Sequence, residues 1–116
     1  MTMPTSYALE LYRGDTARRT FLLWADEEKT QPFDLTGATA RAQVRTSQLA
    51  PDVALELACT ITLPQTIDVV LEAASWPAGD PFCEGAWDLE LSYAGGTVQT
   101  VVAGPVRVVG DVTRAP

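Results

Sequence analysis

Asp88 and Glu90 come nearest, in type and spacing, to catalytic chemistry in this chain. Two carboxylates two apart on an extended strand share one face, and a carboxylate pair can run glycoside hydrolysis. The plainer reading is the wet face of an amphipathic strand. Asp26, Glu27 and Glu28 offer the oxygen ligands that calcium takes. Their spacing fits no calcium loop and Lys29 adds an opposing charge, so a solvated hairpin tip explains them better. Nucleophilic triads fail because the chain has no histidine to serve as base. Serine–lysine chemistry would have to use Lys29, the sole lysine, on that acidic tip. Cys59 and Cys83 are too few for a four-ligand zinc site. They read as small, mostly buried thiols in a reducing compartment, with a disulfide left open. No glycine-rich loop precedes a helix to cradle phosphate. The residues therefore point to no catalytic group, no metal and no cofactor.

The aromatic residues offer a different chemistry. Trp24, Trp76 and Trp87 could form a sugar-stacking platform, which makes a carbohydrate-binding module the alternative function. Trp87 falls on the dry side of a strand and is assigned to the core. Leu22, Trp24, Trp76 and Phe82 are the candidate protein-interface residues, since tryptophan is enriched where proteins meet. Arg13-Gly14-Asp15 spells the tripeptide of integrin-binding loops, but Gly-Asp is ordinary turn chemistry.

These side chains must be positioned by strands. Trp87, Leu89, Leu91 and Tyr93 alternate with Ala86, Asp88, Glu90 and Ser92, the period of a half-buried strand. Gly95-Gly96 suits a two-residue primed turn, which pairs Tyr93 with Val98, Leu91 with Thr100 and Leu89 with Val102. Tyr7, Leu9 and Leu11 alternate in a first strand. Arg19 to Ala25 is apolar on both faces, with Leu22 and Trp24 opposite Phe21, Leu23 and Ala25. Such a strand sits centrally or at an interface. Gln31 to Gly37 forms an irregular approach to the next strand, where Ala38, Ala40, Ala42 and Val44 face in.

Val53 to Leu63 and Ile67 to Ala73 are apolar at odd positions. A two-residue loop between them would put their dry faces on opposite sides, so a three-residue loop over Pro64 to Thr66 is expected. Ala73 to Trp76 suits one helical turn ended by Pro77. Pro105 lacks an amide donor and belongs at an edge, bulge or strand start. Seven to eight short strands with at most one helical turn predict an all-β fold, an antiparallel two-sheet, immunoglobulin-like β-sandwich. Residues 1–116 form one domain by length.

Composition narrows the partners. Fifteen acids against eight bases give a net charge of -7, which disfavours nucleic acid. No apolar run is long enough for a membrane-spanning helix, and bases are too scattered for a polybasic membrane patch. Residues 1–6 lack the basic and apolar regions of a secretory signal, which leads to an expectation of a cytoplasmic protein.

An ordered set of short motifs runs from Leu9 to Arg114. Arg13-Gly14-Asp15-Thr16 precedes a strand, and Phe33-Asp34-Leu35-Thr36-Gly37-Ala38 precedes Ala40-Arg41-Ala42-Gln43-Val44-Arg45. Trp76-Pro77-Ala78-Gly79 and Gly85-Ala86-Trp87-Asp88-Leu89-Glu90-Leu91 follow. Gly104-Pro105-Val106-Arg107-Val108 then leads to Asp111-Val112-Thr113-Arg114. In order and spacing the set resembles small β-sandwich structural proteins of tailed phages and prophages. These include the N-terminal module of baseplate upper proteins and related tail or fibre-associated proteins. The resemblance implies a docking module and not an enzyme, with other phage structural proteins as partners, a homo-oligomer as an option, and a cytoplasmic stage in the bacterial host before the virion. Many such proteins carry a longer C-terminal region that trimerises or binds a receptor. The chain stops soon after Arg114, so the expectation is a structural or adaptor role. Asp80 to Glu84 lengthens the connection usual in that group, which makes Phe82 and Cys83 a contact candidate.

Overall fold

A computed structural model describes residues 5–26, 28–47, 49–50, 52–73, 76 and 84–110. Among the described residues there are eight strands: β1 (Thr5–Ser6), β2 (Leu9–Tyr12), β3 (Ala17–Leu22), β4 (Ala38–Arg45), β5 (Leu55–Thr62), β6 (Thr66–Leu71), β7 (Glu84–Tyr93) and β8 (Val98–Val109). They form one curled sheet in the order β1-β8-β7-β4-β5-β6-β3, with β2 also on β8. The all-β expectation holds in the form of a half-barrel. The sheet is mixed, because β1 and β2 both run parallel to β8. Strand β5 carries the curl: Leu55 to Leu57 pair with β4, and Ala58 to Thr62 pair with β6.

Alternation explains what is buried. Along β4 the inward residues Ala42 and Val44 are sealed, and Ala38 and Ala40 pack against the core. Leu9 and Leu11 of β2, Leu55 and Leu57 of β5, Ile67, Val69 and Leu71 of β6 and Trp87, Leu89 and Leu91 of β7 join them in one cluster. Leu35, in a segment with no strand period, is 1% exposed and fills the same core. The Asp34 carboxylate fixes its approach by accepting from Thr36 N–H (2.9 Å) and Oγ (2.7 Å). The ends of the curled sheet meet inside: the Phe21 ring of β3 lies 5.2 Å from Tyr7 and 5.8 Å from Trp87.

Two hairpins differ from the sequence pattern in instructive ways. Between β5 and β6 the loop has three residues, but they are Leu63 to Gln65, with a cis Leu63–Pro64 peptide, not Pro64 to Thr66. Ile61 therefore opposes Ile67 and Cys59 opposes Val69, so the dry faces still match. Between β7 and β8 the expected two-residue turn is replaced by Ala94 to Gly96. Tyr93 N–H reaches Thr97 O (2.9 Å), Gly96 N–H reaches Tyr93 O (2.9 Å), and Gly96 takes a φ of 89°. This adds one residue to the loop and shifts Leu91 onto Gln99. A bulge then inserts Val101, and Leu89 returns to Val102 as expected. The bulge explains why Val101 and Val102 are buried side by side.

The first strand is broken in two at Tyr7–Ala8, opposite Gly104–Pro105. Pro105 offers no N–H, so the parallel partner has nothing to bond there. A Cβ on Gly104 would stand 2.2 Å from the Tyr7 carbonyl oxygen. The missing side chain lets that carbonyl settle over β8, where it accepts from Trp87 Nε1 at 2.9 Å.

Candidate functional site

The outer face of β4, β7 and β8 carries the carboxylate pair Asp88 and Glu90. Arg41, Gln43 and Arg45 of β4 face outward beside Asp88 and Glu90 of β7, and the small residues Ala86, Ala103 and Gly104 leave a groove of about 540 Å³ between them. Register sets Glu90 against Arg41 and Asp88 against Gln43. Arg41 nevertheless pairs with Glu56 of β5 (3.3 Å), which also accepts from Gln43 Nε2 (3.0 Å). Arg45 bonds Gln43 Oε1 (3.2 Å) and the Ala50 carbonyl (3.1 Å). Burial first, and the Glu90 charge second, push the Asp88 carboxyl above its usual range, while Arg45 pulls it down. Both carboxylates project from one strand, β7, which runs between β4 and β8. Glycoside hydrolysis needs them to flank the scissile bond.

Other candidates are engaged in local structure. The Asp26 carboxylate accepts from Thr30 N–H (2.9 Å), Gln31 N–H (3.0 Å) and the Thr30 hydroxyl. The Thr30 side-chain bond is the main cause that holds its pKa down. It organises the tip instead of presenting free oxygens. Among the described residues no group of three histidine, cysteine, aspartate or glutamate side chains could hold a metal. Cys59 is half-buried, and burial, with Glu56 second, pushes its thiol up to about 11; such a thiol is a poor nucleophile. Cys83 lies outside the described residues.

Arg13-Gly14-Asp15 forms a turn closed by Asp15 N–H to Tyr12 O (3.0 Å), with Gly14 at a φ of 89°. It also receives Trp76. Trp76 Nε1 donates to Asp15 O (2.8 Å), and the Arg13 guanidinium lies 5.9 Å from the indole centroid. Trp76 is half-buried and packs on the core. Its amide lies 3.4 Å from the Ala73 carbonyl, as one helical turn requires, but Ala74 and Ser75 lie outside the described residues. Phe82 lies there too. Trp87, 3% exposed, is core as its alternation predicted.

Leu22 and Trp24 fall together at the open side of β3, which among the described residues pairs only with β6. Leu22 is 55% exposed and registered against Thr66. Leu63, 56% exposed, opens the turn just before Thr66. Trp24 is half-buried and bridged to Pro32. Leu63 was missed because the odd-position pattern of β5 assigned it to the core. The shift of the loop by one residue puts it in the turn.

No family model and no curated protein matches this chain.

Proposed function

We propose that the protein is a non-catalytic structural or adaptor module of a tailed-phage or prophage particle, working through protein–protein contact. The observation that carries this reading is the apolar exposure of Leu22, with Trp24 next in its alternation, at the edge of β3 that no described strand pairs, together with that of Leu63 in the nearby β5–β6 turn. Exposed apolar groups at a sheet edge are a liability unless a partner covers them. The carboxylates Asp26 and Asp34, by contrast, are bound up in loop geometry. On this proposal the curled sheet is the immunoglobulin-like two-sheet sandwich of that group, its halves joined through β5. The contact of Phe21 with Tyr7 and Trp87 supports two facing layers. Sugar stacking is less well supported, since all three indoles are at least half-buried.

The test is co-expression with the products of neighbouring structural genes, followed by affinity capture and light scattering. Capture of a defined neighbour by the wild type, lost in Leu22→Glu and Leu63→Glu, is the expected result. A strict monomer that holds none of them, or capture indifferent to both substitutions, overturns the proposal. A positive glycan array with accessible tryptophan would favour carbohydrate binding instead.

A further inference from the structure

The hydrogen bonds of β3 show which of its backbone groups are spare. Leu23 N–H donates to Gln65 O at 2.9 Å. In an antiparallel ladder bonded and non-bonded pairs alternate, so Phe21, Arg19 and Ala17 also turn their amides and carbonyls toward β6. Leu22, Thr20 and Arg18 turn theirs the other way. The lane of β6 is continued by residues 31–33, since Phe33 N–H meets Leu23 O (3.0 Å) and Ala25 N–H meets Gln31 O (2.8 Å). Trp24 therefore extends the spare edge. Arg18, Thr20 and Leu22 are exposed, and Trp24 continues their alternation on the outer face.

One group on this edge is guarded. Arg19 NH1 donates to the Arg18 carbonyl (2.8 Å), and its NH2 reaches across to Glu10 O of β2 (3.0 Å). Among the described residues no strand pairs with the edge beyond it. Arg18 gives this edge an exposed base, and the Asp68 carboxylate of β6, registered with Thr20 one strand away, accepts from the Thr20 hydroxyl (2.6 Å). Arg13, Arg18 and Arg19 are three of the eight basic residues of a chain with net charge -7.

We infer that the edge from Arg18 to Trp24 is a strand-addition site for an extended, acidic segment of a partner protein. Main-chain bonds to Arg18 N–H, Thr20 and Leu22 supply affinity. Arg18 on the outer face selects a carboxylate at the opposed position, and Leu22 and Trp24 flank an apolar neighbour. A second copy of the chain fits poorly: two antiparallel β3 strands centred on Arg19 and Thr20 would crowd four guanidinium groups into one short ladder, and like charges opposed across strands repel. The inference rests on the protein-contact function proposed above.

The probe is a capped synthetic peptide alternating glutamate with valine, with its lysine-for-glutamate counterpart. The readout is amide hydrogen exchange at Arg18, Thr20 and Leu22. At about 1 mM, the glutamate peptide is expected to slow those amides about tenfold or more and the lysine peptide to leave them unchanged. Arg18→Glu reverses the preference. Thr20→Pro, which removes an N–H that β6 does not use, abolishes the effect; unchanged exchange at Leu89 and Leu91 reports that each variant is folded. No slowing at those amides, equal slowing by both peptides, or an effect that survives Arg18→Glu overturns the inference. Capture of a neighbour that persists after such a failure would leave the contact function standing and remove only this edge.

Discussion

Gly104→Ala tests the join between β1, β8 and the core. The new Cβ would lie 2.2 Å from the Tyr7 carbonyl oxygen and 2.8 Å from its carbon, both backbone atoms. The carbonyl must move, and it is the acceptor for Trp87 Nε1. Trp87 is 3% exposed, so its N–H cannot turn to water. A stranded buried donor costs about 1–3 kcal/mol and loss of the Tyr7 N–H bond to Ala103 O about 1 kcal/mol. Restricting the unfolded chain returns about 0.4–1 kcal/mol. The net expectation is a loss of about 1–3.5 kcal/mol, or a Tm lower by about 5–15 °C for a domain of this size. Thermal and urea unfolding would measure it, with the Trp87 indole proton resonance as local reporter. Gly95→Ala is the control, because nothing lies within 4 Å of the point where its Cβ would stand. If both variants unfold within about 2 °C of wild type, or Gly104→Ala loses stability with the indole resonance unmoved, the reasoning is refuted.

Three further substitutions probe other joints. Asp88 has its pKa raised in the folded state, so folding favours its protonated form and ionisation costs stability as pH rises above about 4; Asp88→Asn should gain on wild type in urea midpoint between that pH and neutrality, and a gap that shrinks with rising pH contradicts this. Trp76→Phe removes the bond to Asp15 O and weakens the Arg13 contact; a loss of about 1–2 kcal/mol in urea unfolding is expected, and no loss would mean that this docking contributes nothing. Arg19→Ala uncovers the Arg18 and Glu10 carbonyls and relieves like-charge repulsion at the edge. Concentration-dependent association in sedimentation is expected, and a monomer at every concentration counts against the guarding role.

The strands were legible in the sequence wherever one face is dry. The alternation of Ala38 to Val44 and of Trp87 to Tyr93 reports burial directly. The match of dry faces gave the loop length between β5 and β6, but not which residues occupy it. The β7–β8 hairpin hid more. An added loop residue and the bulge at Val101 cancel by Leu89 and Val102, so a register counted from either end looks consistent. Parallel pairing of β1 and β2 with β8 leaves no trace in period, since both directions bury alternate residues. The candidate surface was half visible: Leu22 and Trp24 stood out as apolar residues on the second face of a strand, whereas Leu63 followed the core period and left it only through the turn.

Strand β5 has a mechanical consequence. Its ladder to β4 has three registered pairs, Ala42–Leu57, Gln43–Glu56 and Val44–Leu55, against eight between β4 and β7. Outside, that short ladder is stapled by Glu56 to Arg41 and Gln43. Among the described strands it is the ladder that joins β3-β6-β5 to the rest of the sheet. Local opening follows the weakest cooperative boundary. Under tension across the chain the molecule should yield as two leaves hinged at β5, with Glu56 as the first fastening to fail.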